Sequence, residues 1–522
     1  MSREASPIHL ILPMQPTPDG RLHIGHAAGP YLRADALARR LRRDGEIAVV
    51  ATGPDAYENW VLMEARHAGE DPHETCRRMT AGIRQDLTHL GVEPDIWIDP
   101  MSDGDRADYI ALHEQFLREL SDRGRATLSP EHVPASQGTG EYLTGPWISG
   151  LCPECDKPVA GNSCVACGGS FQPSEVVEPR SRFDGSGIDW VAKDSWFAEA
   201  PSKEAVLAVL RSAGVAEAFI DIAARHMSRA GLRARLSQPS SWGMRSRMVD
   251  PDCVLSNSYY LYCLFCGARA AARLGEPANL LARSSRATVV ALFGKDNAGA
   301  GLVVASTLAL NSDAFRGFDA IAVNHLLHFD GSKCSKSRKH GILVSQLVEE
   351  TSVSSDELRF ALAQAPLEHE PHDLQTNEII STINDLRRWR VERLAPLLAG
   401  AGDTPDRAVC AQARDVIAAQ ASVLEPRRLH LAEATSLLKS WMTDTRFEDS
   451  PGARRAWLQA FALLAEPVAP QLAGAVWRSL GLTGRPTTSA LSDPGEVTKL
   501  EADAPLPLHP SELEPVARRA AV

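Results

Sequence analysis

Two histidines and two lysines, far apart in the chain, carry the residue types for phosphate chemistry. His23, Gly25 and His26 stand in PTPDGRLHIGHA, after the apolar run Ile8 to Leu12 and before a stretch from Ala27 to Arg43 with apolar residues at helical spacing. That order puts them at a helix N-terminus. There, unpaired N–H groups and a partial positive charge face an anion, Gly25 permits close approach, and the imidazoles add donors. Lys333 and Lys336 stand in DGSKCSKSRKHG, a Ser- and Gly-rich loop whose ammonium groups would neutralise charge developing on a leaving pyrophosphate. Each string alone is more often a capped helix or a solvated basic loop. Their order, with a strand-like segment before each, points to two halves of one ATP-activating site.

Cys152, Cys155, Cys164 and Cys167 form C-x2-C-x8-C-x2-C on tight Gly- and Pro-containing turns. Two such pairs deliver four thiolates tetrahedrally, which predicts a structural Zn2+. The competing reading is two disulfides. Ten Cys with no secretion signal at the N-terminus argue for a reducing compartment, hence a cytoplasmic protein.

At these residues the chain resembles a family. His23-Ile24-Gly25-His26 and Lys333-Cys334-Ser335-Lys336-Ser337 are similar to the HIGH and KMSKS signatures of class I aminoacyl-tRNA synthetases, with Cys334 in place of Met, and the cysteine knuckle between them resembles the methionyl branch. The resemblance implies an amino acid activated on ATP as its adenylate, with Mg2+ bridging phosphate oxygens. His23 and His26 would hold the phosphates, and Lys333 and Lys336 would stabilise the transition state. Pro16, Gly25, Gly294, Lys295, Asp296 and Ser335 would surround ATP. Asp55, in ATGPDAYENW, would grip the substrate ammonium, with Gln15, Tyr262 and Arg269 around the side chain.

The departures bear on the substrate. Gln15 stands where the family has an aliphatic residue, Tyr262 where it has Trp, Cys266 where it has Pro, Arg269 where it has Tyr and Gly301 where it has His. A thioether prefers an apolar, aromatic enclosure, so methionine is a poor fit and a polar, acidic or small amino acid is expected. Arg269 has a second reading as an outward residue of the helical segment GARAAARLG. Cys263 and Cys266, though spaced C-x2-C, read as core thiols.

Positioning these groups takes an α/β frame. Strand-like runs Ile8 to Leu12, Ile47 to Thr52, Thr288 to Phe293 and Ala320 to Val323, with helical segments among them, predict a Rossmann-type parallel sheet with the nucleotide at strand ends. Expected divisions are 1–119 and 236–330 for the two halves of the catalytic domain, 120–235 for an insertion bearing the zinc knuckle, and 331–376 for the lysine loop and stem-contact region. Residues 377–482 form an α-helical anticodon-binding-like domain, and 483–522 a wrapping or poorly ordered tail.

The 522 residues carry a net charge of −11. Nucleic-acid binders usually show a clustered basic face, and the only notable cluster after Asn377 is RRWRVER, Arg387 to Arg393. That run lacks the family's anticodon-reading pattern. The expected acceptor is therefore a small molecule, as in synthetase-like domains that join an amino acid to an N-hydroxylated amine on the way to an N–N bond. A tRNA 3′ end is the alternative, and a catalytically dead binding module is the reading of another class. No apolar stretch is long enough to span a membrane.

Overall fold

The computed structural model describes residues 6–334, 341–447, 449–498 and 506–520. Its centre is a five-stranded parallel sheet of β1 (Ile8–Pro13), β2 (Ile47–Thr52), β3 (Ile96–Trp97), β4 (Thr288–Gly294) and β5 (Ala320–Asn324), in the order β5-β4-β1-β2-β3. β1, β2 and β4 are near-continuous apolar runs because helices cover both faces of the sheet. Ile11 of β1 lies opposite Val290 of β4 on one side and Val50 of β2 on the other. The chain winds outward from β1 through β2 and β3, then resumes with β4 and β5 on the other side. A switch point therefore falls between β1 and β4, and the crevice beyond the carboxyl ends of these strands is where such sheets take ligands.

The segment between Ala27 and Arg43 departs from one continuous helix. A helical turn Ile24–His26 runs through a wide turn, Ala27–Tyr31, before the regular helix Leu32–Arg43. Pro30 lacks an N–H and its ring crowds the preceding turn, and Gly29 takes up the distortion with ψ −111°.

The insertion contains a long antiparallel pair, Ala126–Ser136 with Ile188–Glu199, and a small sheet of Ile148–Leu151, Pro158–Ala160 and Val177–Ser181 that carries the cysteine knuckle. Five helices, Thr376–Trp389, Arg407–Val423, Leu431–Thr443, Pro451–Ala465 and Pro470–Ser479, then pack around an aromatic centre in which Trp457 stacks on Phe461 and Trp441. In the tail, a helix Pro510–Ala520 follows Leu508, which exchanges two hydrogen bonds with the Asn384 side chain. That segment wraps onto the helix Thr376–Trp389.

The helix Leu32–Arg43 joins sheet to bundle through guanidinium groups. Arg33 donates to Leu429 O, Arg39 pairs with Glu466, Arg40 with Glu425, and Arg43 donates to Gln420 Oε1 and Leu463 O. Arg33, Arg40 and Arg43 are buried. Among the described residues no helix is long and apolar enough to cross a membrane.

Candidate active site

Asp86 anchors the histidine turn. Fully buried, its carboxylate accepts two bonds from Arg21, at 2.8 and 2.7 Å, and one from the Leu22 amide at 2.8 Å. Helix Pro72–His89 makes room for Arg21 at Gly82, where a Cβ would stand 2.5 Å from the arginine Cδ. Beyond this anchor His23 caps the turn: its Nδ1 accepts from the His26 amide, and the two imidazoles stack with centroids 3.8 Å apart.

The residues flanking the lysine loop meet this turn directly. The Ile24 amide donates to Ile342 O and the Val344 amide to Leu22 O, and a Cβ on Gly25 would lie 3.2 Å from Cys334 Cβ. Histidine turn and loop entrance are thus in contact, as the paired motifs predict. Lys333 ends a short strand paired with His328. Ser335 and Lys336 lie outside the described residues.

A cavity of 280 Å3 opens at the switch point. Residues from the loop after β1 (Gln15, Pro16), the histidine turn (His23, Gly25, His26), the loop after β2 (Asp55) and the start of the loop after β4 (Gly294, Asp296) line it. A Cβ on Gly294 would fall 2.7 Å from Asp296 Oδ1, so glycine there lets that carboxylate fold over the strand end.

Asp55 is held from two sides. Its amide donates to Pro16 O at 2.9 Å, and its carboxylate accepts from Asn257, whose own oxygen accepts from the Tyr109 hydroxyl. Burial first, then the neighbouring Glu58 charge, pushes the Asp55 carboxyl well above the usual carboxylate range, against hydrogen bonds from Asn257 and Gln15 that pull it down. Burial and Asp19 raise Glu58 as well. Sequence reasoning missed Asn257, Tyr109 and Glu58. Glu58 is legible as a second carboxylate three residues after Asp55, whereas Asn257 and Tyr109 reach the site only through tertiary packing.

Lys295 and Arg269 are not where the resemblance implies. The Lys295 ammonium donates to Ala166 O inside the cysteine knuckle at 3.0 Å. Arg269 pairs with Asp105 and Asp108 near the start of helix Arg106–Asp122, both at 3.0 Å, and lies over the Phe265 ring. A guanidinium that finds two carboxylates is better stabilised there than facing an apolar pocket. Tyr262 is fully buried, outside the cavity lining, in contact with the Tyr109 ring. At Gly301 a Cβ would stand 2.3 Å from the Phe293 ring, so an aromatic face closes on the backbone there. Cys263 and Cys266 are core thiols.

The four knuckle sulfurs all lie within 4.8 Å of one another, with Cys152 to Cys167 at 3.8 Å and Cys155 to Cys164 at 3.6 Å. Zn–S bonds of about 2.3 Å in a tetrahedron demand sulfur separations of about 3.8 Å, so the donor set fits Zn2+. Amides of Glu154 and Gly169 point at Cys152 and Cys167 sulfur, and all four cysteines are free thiols, not disulfides. The knuckle also buttresses the cavity wall. Gly168, at φ +77°, packs on the Lys295 stem, and Ser170 presses against Gly299.

A family model, tRNA synthetases class I (M), matches residues 10–387. The chain belongs to this family. Among relatives of this class I synthetase, the methionine–tRNA ligase of Parabacteroides distasonis is 24% identical over 370 residues, 68% of this chain and 53% of the relative. That of Bifidobacterium animalis subsp. lactis is 25% identical over 543 residues, 93% of this chain and 85% of the relative. The chain spans about half the length of the first of these. Mycobacterium tuberculosis methionyl-tRNA synthetase in complex with methionyl-adenylate has the same fold, with a TM-score of 0.69 at 19% identity over 95% of this chain and 99% of that one.

Proposed function

We propose that this synthetase activates an amino acid on ATP, forming an aminoacyl adenylate and pyrophosphate. The observation that carries the reading is the single cavity shared by the histidine turn, the entrance to the lysine loop and Asp55. In it, residues that can donate to phosphate oxygens share one lining with an acceptor for an ammonium group. His23 and His26 would bind the phosphates, Lys333 and Lys336 would stabilise charge on the departing pyrophosphate with Mg2+, and Asp55 would orient the amine so that the carboxylate faces the α-phosphorus. Pro16, Gly25, Gly294, Asp296 and Ser335 would border the nucleotide. Lys295 would act indirectly, by holding the knuckle. Zn2+ on Cys152, Cys155, Cys164 and Cys167 would be structural, since four thiolates leave no open position.

For the acceptor, the relatives' shared name supports a tRNA 3′ end, and this takes precedence over the small molecule expected from the sequence. One observation favours the small molecule. Within RRWRVER, Arg387 is buried on Glu357 at 2.8 Å and Arg393 lies over the Trp457 ring, so two of the four arginines are taken up by the protein's own packing, while Arg388 stays exposed. Pyrophosphate exchange across an amino-acid panel, with acylation of total tRNA by the best substrate, tests both levels. No exchange with any amino acid overturns activation and leaves the inactive module. Exchange with stoichiometric charging of one tRNA species selects the first acceptor, and exchange without charging selects the second.

A further inference from the structure

Asp55 alone would make a poor amine acceptor. It lines the cavity with acidic neighbours, Glu58 on its own loop and Asp19 on the loop after β1, and burial together with these charges favours the protonated carboxyl, which cannot pair with an ammonium. Two neutral amides, Asn257 and Gln15, act the other way. Asn257 reaches the Asp55 carboxylate from the loop between strand Cys253–Leu255 and helix Tyr259–Leu274, a loop pinned by the Ser256 amide on Leu236 O at 3.0 Å. Behind it stands Tyr109, fully buried and edge-on to Phe265 with centroids 5.2 Å apart, its hydroxyl donating to Asn257 Oδ1 at 2.5 Å. Burial pushes the Tyr109 phenol well above its ordinary value, so it keeps its proton, and among the described residues the hydroxyl has no other acceptor. An amide has its acceptor at one end and its donors at the other. With Oδ1 taken by the phenol, the Asn257 N–H must face Asp55. Arg269 braces this arrangement, because it ties helix Tyr259–Leu274 to Asp105 and to Asp108, the residue before Tyr109.

We propose that Asn257 is a positioning residue of the amino-acid site: oriented by Tyr109, it donates its amide N–H to Asp55 and so holds that carboxylate as a fixed, anionic acceptor for the substrate ammonium. The inference rests on the proposed role of Asp55 in adenylate formation. The Asp55 backbone is fixed by its amide on Pro16 O at 2.9 Å, which leaves the rotation and charge of the side chain to its partners. A neutral N–H stabilises the anion without cancelling it, so the full charge remains for the ligand; a lysine or arginine in the same place would spend it. Tyr31 from the wide turn, Cys76 from helix Pro72–His89 and Tyr109 are the other titratable groups that interact with Asp55, and burial keeps all three neutral at pH 7. His23, His26 and Asp296 line the same cavity.

The test is pyrophosphate exchange measured across pH, with the amino acid of the panel that the parent uses best. Asn257→Ala should raise KM for the amino acid about 10-fold at pH 7 and leave KM for ATP unchanged. The acid limb of kcat/KM for the amino acid should move to higher pH by about 1, the equivalent of that tenfold. The sign follows from the bond lost. Without it Asp55 takes up its proton sooner as pH falls, so the deficit should shrink as pH rises to about 8.5. Tyr109→Phe removes only the hydroxyl and frees the amide to turn, so it should move KM and the limb the same way by a smaller factor; it carries the same test if the alanine variant does not fold. Combined with Asn257→Ala it should add nothing, because the phenol acts through the amide, and additive effects would overturn the relay. A limb that moves to lower pH overturns the inference by showing that the bonds run the other way, with Asp55 protonated. Equal rises in KM for ATP and amino acid with the limb unmoved, or kinetics equal to the parent's, also overturn it and leave activation intact. No exchange by the parent with any amino acid removes the activation reading and this inference with it.

Discussion

Replacing Asp86 with alanine should release the histidine turn without unfolding the rest of the molecule. The carboxylate is fully buried and makes three bonds, but their loss is unequal. The Arg21 side chain is 28% exposed, so water recovers much of its pairing, and that part costs about 1 kcal/mol. The Leu22 amide is buried and among the described residues has no second acceptor, and an orphaned buried N–H costs about 1–3 kcal/mol. The sum, about 2–4 kcal/mol, applies to local opening of the segment that carries His23. At 1.4 kcal/mol per tenfold this lowers amide-exchange protection across residues 21–27 by roughly 30- to 700-fold. Helix Pro451–Ala465, in the bundle, serves as the internal control and should keep its protection. Pyrophosphate exchange should fall together with the local protection, because the proposed phosphate donors are no longer preorganised. Unchanged protection across 21–27, or an equal loss in both segments, would refute the anchoring role.

Burial pushes His113 down to about 4, from an unfolded value near 6.5. The unfolded chain therefore binds the extra proton first as pH falls, and about 3 kcal/mol of stability present at pH 7 is lost between pH 6.5 and 4. Thermal melts of His113→Phe should show a shallower acid limb, and a limb as steep as the parent's would place the titration elsewhere. Metal analysis should find one zinc per chain, lost in Cys152→Ser. Because the knuckle holds Lys295 and Gly299, that variant should also lose exchange activity without any substrate contact having been removed. Lys336→Ala should lower exchange by on the order of 100-fold with little change in ATP affinity, since the contact proposed for it would strengthen mainly in the transition state. An unchanged rate places the chemistry elsewhere. Arg387→Ala should destabilise the bundle by about 3–5 kcal/mol, read by denaturant melts, because Glu357 is left buried and unpaired. A variant as stable as the parent would return that arginine to the surface.

Four of the five strands of the central sheet were legible because local pattern dictates them, whereas β3, two residues long, was not, and the pairing of the two motifs was read from their order and the family resemblance. Apolar runs with β-branched residues make buried parallel strands, and a capped Gly-containing turn makes a helix start whatever surrounds it. The knuckle was legible because four thiols at that spacing have few other uses. What the sequence could not show were partners chosen in three dimensions. Arg269 found Asp105 and Asp108 and Lys295 found Ala166 O, where the resemblance implied a ligand, and Arg387 found Glu357, where a basic run suggested RNA. The chain from Tyr109 through Asn257 to Asp55 spans three separate segments, so no window of sequence contains it. The kink at Pro30 was visible as a residue and passed over because the apolar period continues across it.

The arginines of helix Leu32–Arg43 make the bundle an heirloom the catalytic half cannot discard. Cut away at the end of the sheet's last connections, the sheet would expose Arg33 and Arg43 with their acceptors Leu429 O, Gln420 and Leu463 O gone, along with the apolar surface around them. Those side chains leave from the same helix that continues the histidine turn. A lineage that changed its acceptor would therefore be free to lose the outer surface of the bundle while its inner surface stayed under selection for folding. Erosion should be read by face: substitutions gathered on the outside of these helices record a change of partner, and those toward Arg43 would record a failing protein.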